Sequence, residues 1–223
     1  MELNRYVDHT LLKTTATKEE IKKLCDEAKE YKFYSVCVNG ANTAFAYDKV
    51  KGTDVKVATV VGFPLGAMSM ESKIFEAKNA IENGASEIDM VINVGALKSK
   101  DYEFVEKEIA GVKEAIGKNI LKVIIETCYL TDSEKVKACE LAVSAKADFV
   151  KTSTGFGTGG ATFDDVKLMK EAVGSKAKVK ASGGIRDLKT ARKYIELGAE
   201  RLGTSSGINI IKELSVEGEK YKK

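Results

Sequence analysis

The sequence predicts an α/β protein, a (β/α)8 TIM barrel of parallel strands, forming a single domain over residues 1–223. Short runs rich in apolar and β-branched residues recur about every 20 to 35 residues, alternating with amphipathic helical stretches, as in a parallel sheet with crossover helices. Eight such runs are present, the number that closes a barrel. Two of them end in a lysine and then small residues, Phe149-Val150-Lys151-Thr152-Ser153-Thr154-Gly155 and Val179-Lys180-Ala181-Ser182-Gly183-Gly184. A barrel displays its chemistry at these C-terminal strand ends and in the loops that follow. An open doubly wound sheet, the competing architecture, would carry Gly-x-Gly-x-x-Gly after an early strand, and none stands there.

The elements follow in order. Val7 to Leu11 is a short first strand. Thr17-Lys18-Glu19-Glu20 has capping-box spacing and opens a helix whose Ile21, Leu24, Cys25 and Ala28 recur at helical intervals. Phe33 to Val38 and Val55 to Val61 read as strands, the second stopping at Gly62-Phe63-Pro64. A helix from Glu71 to Glu82 ends at Asn83-Gly84, and Glu87 to Asn93 forms the next strand. Asp101 to Ile116 carries Phe104, Val105, Ile109 and Val112 on a helical face, before the nearly continuous apolar strand Leu121 to Ile125. Thr131-Asp132-Ser133-Glu134 offers a second capping box for a helix through Ala145. The strand of Lys151, a helix over Thr162 to Val173, the strand of Lys180, a helix over Leu188 to Leu197 and a last strand Arg201-Leu202-Gly203 complete the pattern. A short helix follows Ser205-Ser206, and the charged tail from Glu213 to Lys223 is expected to be mobile.

Composition narrows the function classes. Hydrophobic residues make up 43% and charged residues 31%, the balance of a globular protein with a substantial core. The net charge of +3 is spread along helices where Lys and Glu alternate, so no basic block suggests nucleic acid. The first residues lack an apolar signal core, and no run approaches the roughly 20 apolar residues that span a bilayer, so the expected location is cytoplasmic. Cys25, Cys37, Cys128 and Cys139 are scattered without a Cys-x-x-Cys pair and are read as reduced thiols. The expectation is no metal and no cofactor.

The two lysines are the chemical core of the sequence. An ammonium pinned beside a second ammonium, away from water, loses its proton near neutral pH, because like charge and desolvation both disfavour the cation. One of the pair is then an amine nucleophile toward a carbonyl, and the iminium it forms withdraws electrons from the adjacent C–C bond. Asp89 lies between Ile88 and Met90 on a strand, where a carboxylate needs a cation or ordered water, and it is a candidate acid/base. Asp8, on the first strand, is a weaker candidate, placed either to orient Lys180 or to hold the loop by hydrogen bonds. His9 is the only histidine and, on a strand, faces away from Asp8, so a structural role is expected. Cys37 ends the second strand and is read as a buried thiol near the carbonyl pocket. A phosphate is expected on Thr154, Gly155, Gly183, Gly184, Ser205 and Ser206, through backbone N–H groups of tight turns and a helix N-terminus, with Arg186 adding positive field. The substrate expected is therefore a phosphorylated carbonyl sugar.

The chain also resembles the 2-deoxyribose-5-phosphate aldolases, a family of class I aldolases. The likeness runs through Asp8-His9-Thr10-Leu11-Leu12, Ser35-Val36-Cys37-Val38-Asn39, Val60-Val61-Gly62-Phe63-Pro64-Leu65-Gly66, Glu87-Ile88-Asp89-Met90-Val91, both lysine segments as far as Ile185-Arg186, and Gly203-Thr204-Ser205-Ser206-Gly207. The resemblance implies a Schiff base on Lys151, proton handling by Lys180 and Asp89, and a homodimer or homotetramer. It departs at Phe156, where some relatives carry a lysine toward the phosphate. Relatives also use a C-terminal tyrosine in proton transfer, but Tyr221 is followed by two lysines and is not assigned that role.

Overall fold

The computed structural model describes residues 2–220. Strands β1 (Val7–Leu11), β2 (Ser35–Val38), β3 (Lys56–Val61), β4 (Glu87–Val91), β5 (Ile120–Ile124), β6 (Phe149–Lys151), β7 (Lys178–Ser182) and β8 (Ala199–Thr204) each pair in parallel with their sequence neighbours. β8 returns to β1, so the sheet closes into a barrel. The predicted (β/α)8 architecture is the one observed.

Helices α1 (Lys18–Glu30), α2 (Thr43–Val50), α3 (Met70–Glu82), α4 (Val94–Lys98), α5 (Tyr102–Ile116), α6 (Asp132–Ser144), α7 (Phe163–Val173), α8 (Leu188–Glu196) and α9 (Gly207–Lys220) surround it. Both predicted capping boxes form: Thr17 and Thr131 accept from the backbone N–H of Glu20 and Glu134, whose carboxylates reach back. Each supplies partners for N–H groups that a helix start leaves unpaired. Outside the barrel, Ile88, Met90, Leu121, Val123, Val150 and Val179 point outward onto α3, α5 and α7 and form the main apolar core.

Three features depart from the sequence expectation. α2 and α4 occupy stretches read as connections, because helices of 8 and 5 residues show too few turns for a clear apolar period. The tail expected to be mobile from Glu213 is instead helical as far as Lys220. Its apolar face explains this: Ile210 is buried, Ile211 and Leu214 pack on the core, and Glu213 accepts from the Leu188 N–H at 2.8 Å. Tyr221 lies outside the described residues.

Candidate active site

Alternation along a strand sends every second side chain into the barrel, and here the inward set is charged. Register places Lys151 of β6 beside Lys180 of β7, and Asp89 of β4 beside Lys122 of β5. Asp89 Oδ2 accepts from Lys151 Nζ at 2.8 Å and from Lys180 Nζ at 2.7 Å, while its Oδ1 accepts from Lys122 Nζ at 2.7 Å. Lys180 also donates to Asp8 Oδ2, and Asp8 Oδ1 accepts from Ser35 Oγ at 2.6 Å and Arg201 Nη1 at 2.5 Å. Lower in the barrel, Glu87 joins Lys122 at 2.5 Å and Arg201 at 3.1 Å. Glycine makes room for one of these lysines: a Cβ on Gly203 would stand 3.1 Å from Lys180 Cε and 2.9 Å from Ser182 Cβ. Next to it the β7–β8 ladder shifts register between Val179 and Lys180, a bulge of the sort that re-aims side chains near sites.

The same side chain is held in two different electrostatic settings. Burial pushes the Lys151 pKa below the ordinary lysine value; Asp89 pulls it back, and the Lys180 cation pushes it down again. Burial also works against the Lys180 cation, but Asp8 and Asp89 outweigh it and hold that ammonium above its ordinary value. Asp89 stays well below the usual carboxylate range despite its burial, because Lys122, Lys151 and Lys180 surround it. Environments that push two groups apart in this way assign the acid and the base of a site. Lys151 is thus pushed toward its amine form and Lys180 toward its ammonium.

Above this cluster opens a cleft of about 620 Å³, lined by Lys151, Thr154, Gly155, Gly183, Gly184, Arg186, Ser205 and Ser206 among others. Its size is that of a small-ligand site. Every expected phosphate residue therefore reaches the same opening as Lys151, and Arg186 does too. The donors are not equivalent. Thr154 gives its N–H and its hydroxyl to Glu126, and Ser206 gives its N–H to Thr204 Oγ1 at 2.9 Å. Among the described residues, the N–H groups of Gly155, Gly183, Gly184 and Ser205 donate no hydrogen bond to protein. Gly155, Gly183 and Gly184 have φ of +85°, +88° and +82°, a region that residues with a Cβ rarely adopt. Phe156 is 52% exposed at the rim, edge-on to Phe63 with ring centroids 5.3 Å apart.

His9 is turned outward, its Nε2–H donating to Glu27 Oε2 at 2.8 Å, and burial lowers its pKa against the pull of that carboxylate. It faces away from Asp8, as strand alternation predicts. Cys37 sits fully buried inside the barrel with Ala58 and Val60, and burial pushes its thiol up.

Lys122, Glu87, Arg201 and Glu126 are absent from the sequence candidates. Lys122 offered a signal, a single cation at the centre of the apolar run Ile120–Ile124. Glu126 holds the loop after Lys151 from a left-handed conformation with φ 54°, a placement no local pattern announces.

The fold and the cluster define a barrel enzyme in which two buried lysines share one carboxylate beneath a ligand-sized cleft. Comparison with known proteins gives the family. The DeoC/LacD family aldolase profile matches residues 3–213, and the chain belongs to that family of aldolases. It is 62% identical to the deoxyribose-phosphate aldolase of Finegoldia magna, over 95% of this chain and 99% of the relative. It is also 62% identical to that of Carboxydothermus hydrogenoformans, over 99% and 98% of the two chains. Among solved structures, the tetrameric deoxyribose phosphate aldolase of Aeropyrum pernix superposes with a TM-score of 0.87 at 32% identity, covering 96% of this chain and 91% of that one.

Proposed function

We propose that this protein catalyses the reversible aldol cleavage of 2-deoxy-D-ribose 5-phosphate to D-glyceraldehyde 3-phosphate and acetaldehyde, through an imine on Lys151 and without a metal. One observation carries the reading: Lys151 is a buried lysine held toward its amine form, at the floor of a cleft whose rim presents unpaired backbone N–H groups. The open-chain sugar has an aldehyde at one end and a phosphate at the other. An amine below and N–H donors above match both.

Imine formation comes first in this reading. Lys151 Nζ attacks the C1 carbonyl, and loss of water leaves an iminium. A base removes the proton of the C3 hydroxyl, the C2–C3 bond breaks, and its electron pair moves toward the iminium nitrogen as an enamine. Glyceraldehyde 3-phosphate leaves. Protonation of C2 and hydrolysis of the resulting iminium then release acetaldehyde and restore the amine. Asp89 lies 2.8 Å from Lys151 and 2.7 Å from Lys180, so a proton can pass among the three or reach the substrate through one water. Asp8 holds Lys180 as the ammonium. Gly155, Gly183, Gly184, Ser205 and Ser206 bind phosphate, supported by Arg186, while Thr154 fixes the first of these turns through Glu126. The physiological role that fits is breakdown of deoxynucleoside sugars in the cytoplasm, by an assembly of two or four copies.

Borohydride trapping with 2-deoxyribose 5-phosphate, followed by peptide mapping, tests the reading. The expected result is a substrate-dependent adduct on Lys151, weak or absent with ribose 5-phosphate. Cleavage that survives Lys151→Ala, or that a chelator abolishes, would overturn it. A sugar-phosphate-binding barrel without turnover would bind the sugar and form no adduct.

A further inference from the structure

The barrel interior holds more charge than the proposed chemistry uses. Among the described residues, three carboxylates (Asp8, Glu87, Asp89) meet four basic side chains (Lys122, Lys151, Lys180, Arg201) in one connected network. These are the charged groups that face Lys151 from every surrounding strand: β1 supplies Asp8, β4 Glu87 and Asp89, β5 Lys122, β7 Lys180 and β8 Arg201. β2 supplies the Cys37 thiol and the uncharged Ser35 hydroxyl, and β3 the apolar Ala58 and Val60. Asp8, Asp89, Lys122 and Lys180 are 0% exposed. Unbalanced charge is costly in such a place, so the network favours protonation states that sum to zero.

The sum is zero only with one base neutral. Arg201 cannot lose its proton. Lys180 touches two carboxylates, Asp8 and Asp89. Lys122 meets Glu87 at 2.5 Å and Asp89 at 2.7 Å and stands 4.0 Å from Asp8. Lys151 touches Asp89 alone, and it is the member that lines the cleft, so it is the one that gives up its proton.

We propose that Lys122 is a positioning residue for this chemistry: its ammonium, held between Asp89 and Glu87, completes the charge balance that leaves Lys151 an amine. The proposal rests on the reading of Lys151 as nucleophile. Without Lys122 the three carboxylates would face only Lys180 and Arg201, and Lys151 would be drawn into supplying the third positive charge. Removing Glu87 as well cancels one charge of each sign and frees Lys151 again. A merely structural lysine makes no such prediction about the double variant.

The test is the pH dependence of kcat/KM for 2-deoxyribose 5-phosphate in the wild type, Lys122→Met, Glu87→Gln and the double variant, with trapped Lys151 adduct measured in each. In Lys122→Met the rising limb is expected to move to higher pH by about one unit or more, which is roughly tenfold in the amine fraction at fixed pH below it. Glu87→Gln moves the limb to lower pH, and the double variant returns it toward the wild-type position. A Lys122→Met profile lowered equally at all pH values, or a double variant that stays displaced, would overturn the proposal. Should Lys122→Met not fold, the near-isosteric Glu87→Gln decides, since an unmoved limb there is equally fatal. Absence of a Lys151 adduct in the wild type at every pH would instead sink the nucleophile reading itself.

Discussion

Lys151 and Lys180 carry identical side chains into one cavity and emerge with opposite tendencies, because Asp8 reaches only Lys180. The difference has a thermodynamic sign. A lysine whose folded pKa lies below its unfolded value binds fewer protons when folded, so it subtracts stability at neutral pH and recovers it as pH rises. Lys151→Met is therefore expected to abolish cleavage yet melt no lower than the wild type at pH 7, with any advantage shrinking toward pH 10. Thermal denaturation across that range checks it, and a variant much less stable at pH 7 would contradict the neutral-amine reading. Active-site groups commonly trade stability for reactivity in this way.

At the scale of elements, the loop after β6 crosses the loop after β7 with almost no clearance. A Cβ on Gly160 would lie 2.5 Å from the Gly183 carbonyl oxygen, and Ala161 N–H donates to the Ser182 and Gly183 carbonyls at 3.0 and 3.2 Å. Backbone stands on both sides, so neither can yield cheaply. Gly160→Ala is expected to shift the Gly183-Gly184 turn and raise KM for the phosphorylated sugar severalfold, with a smaller effect on kcat; steady-state kinetics with phosphorylated and unphosphorylated deoxyribose separates the two. Equal losses on both sugars would argue that the turn does not hold phosphate. The elements themselves were largely legible, since capping boxes, apolar alternation and glycine-rich turns are local signals, and Lys151 and Lys180 stood out by closing apolar runs. Glu87 and Arg201 did not, and Lys122 showed only as a lone cation in an apolar run, because a charge on a strand acquires meaning from what the barrel register sets across from it. Glu87 lies on β4 and Arg201 on β8, 114 residues apart in sequence and joined only by closure of the barrel.

For the molecule as a whole, the ionic interior sets the pH range of stability. Asp8 and Asp89 are held below the ordinary aspartate value of 3.8, in opposition to their burial, by the cations around them. Such carboxylates contribute stability that is present above pH 3.8 and lost as pH falls through their lower folded values. Lys180 works at the other end: its raised pKa contributes stability that is complete below 10.5 and lost as pH climbs through the folded value. The melting temperature is expected to hold steady through the middle of the range and to fall on both sides, steeply below about pH 4. Circular dichroism melts across the range check this, and a steady decline from pH 7 to pH 4 would show that the interior ion pairs carry little of the stability.

The lower end of the barrel is shut. Arg201 lies with its guanidinium carbon 3.5 Å from the centroid of the Tyr34 ring, paired above to Asp8 and Glu87, and is itself 3% exposed. Among the described residues, the cleft on the opposite side is the opening that Lys151 lines. Under the proposed mechanism the hydron taken from the C3 hydroxyl and the one given to C2 pass through the same enclosed groups, so an enzyme moved abruptly into heavy water is expected to label the methyl group of its first product less than that of its later ones, and mass spectrometry of the acetaldehyde formed in the first turnover checks it.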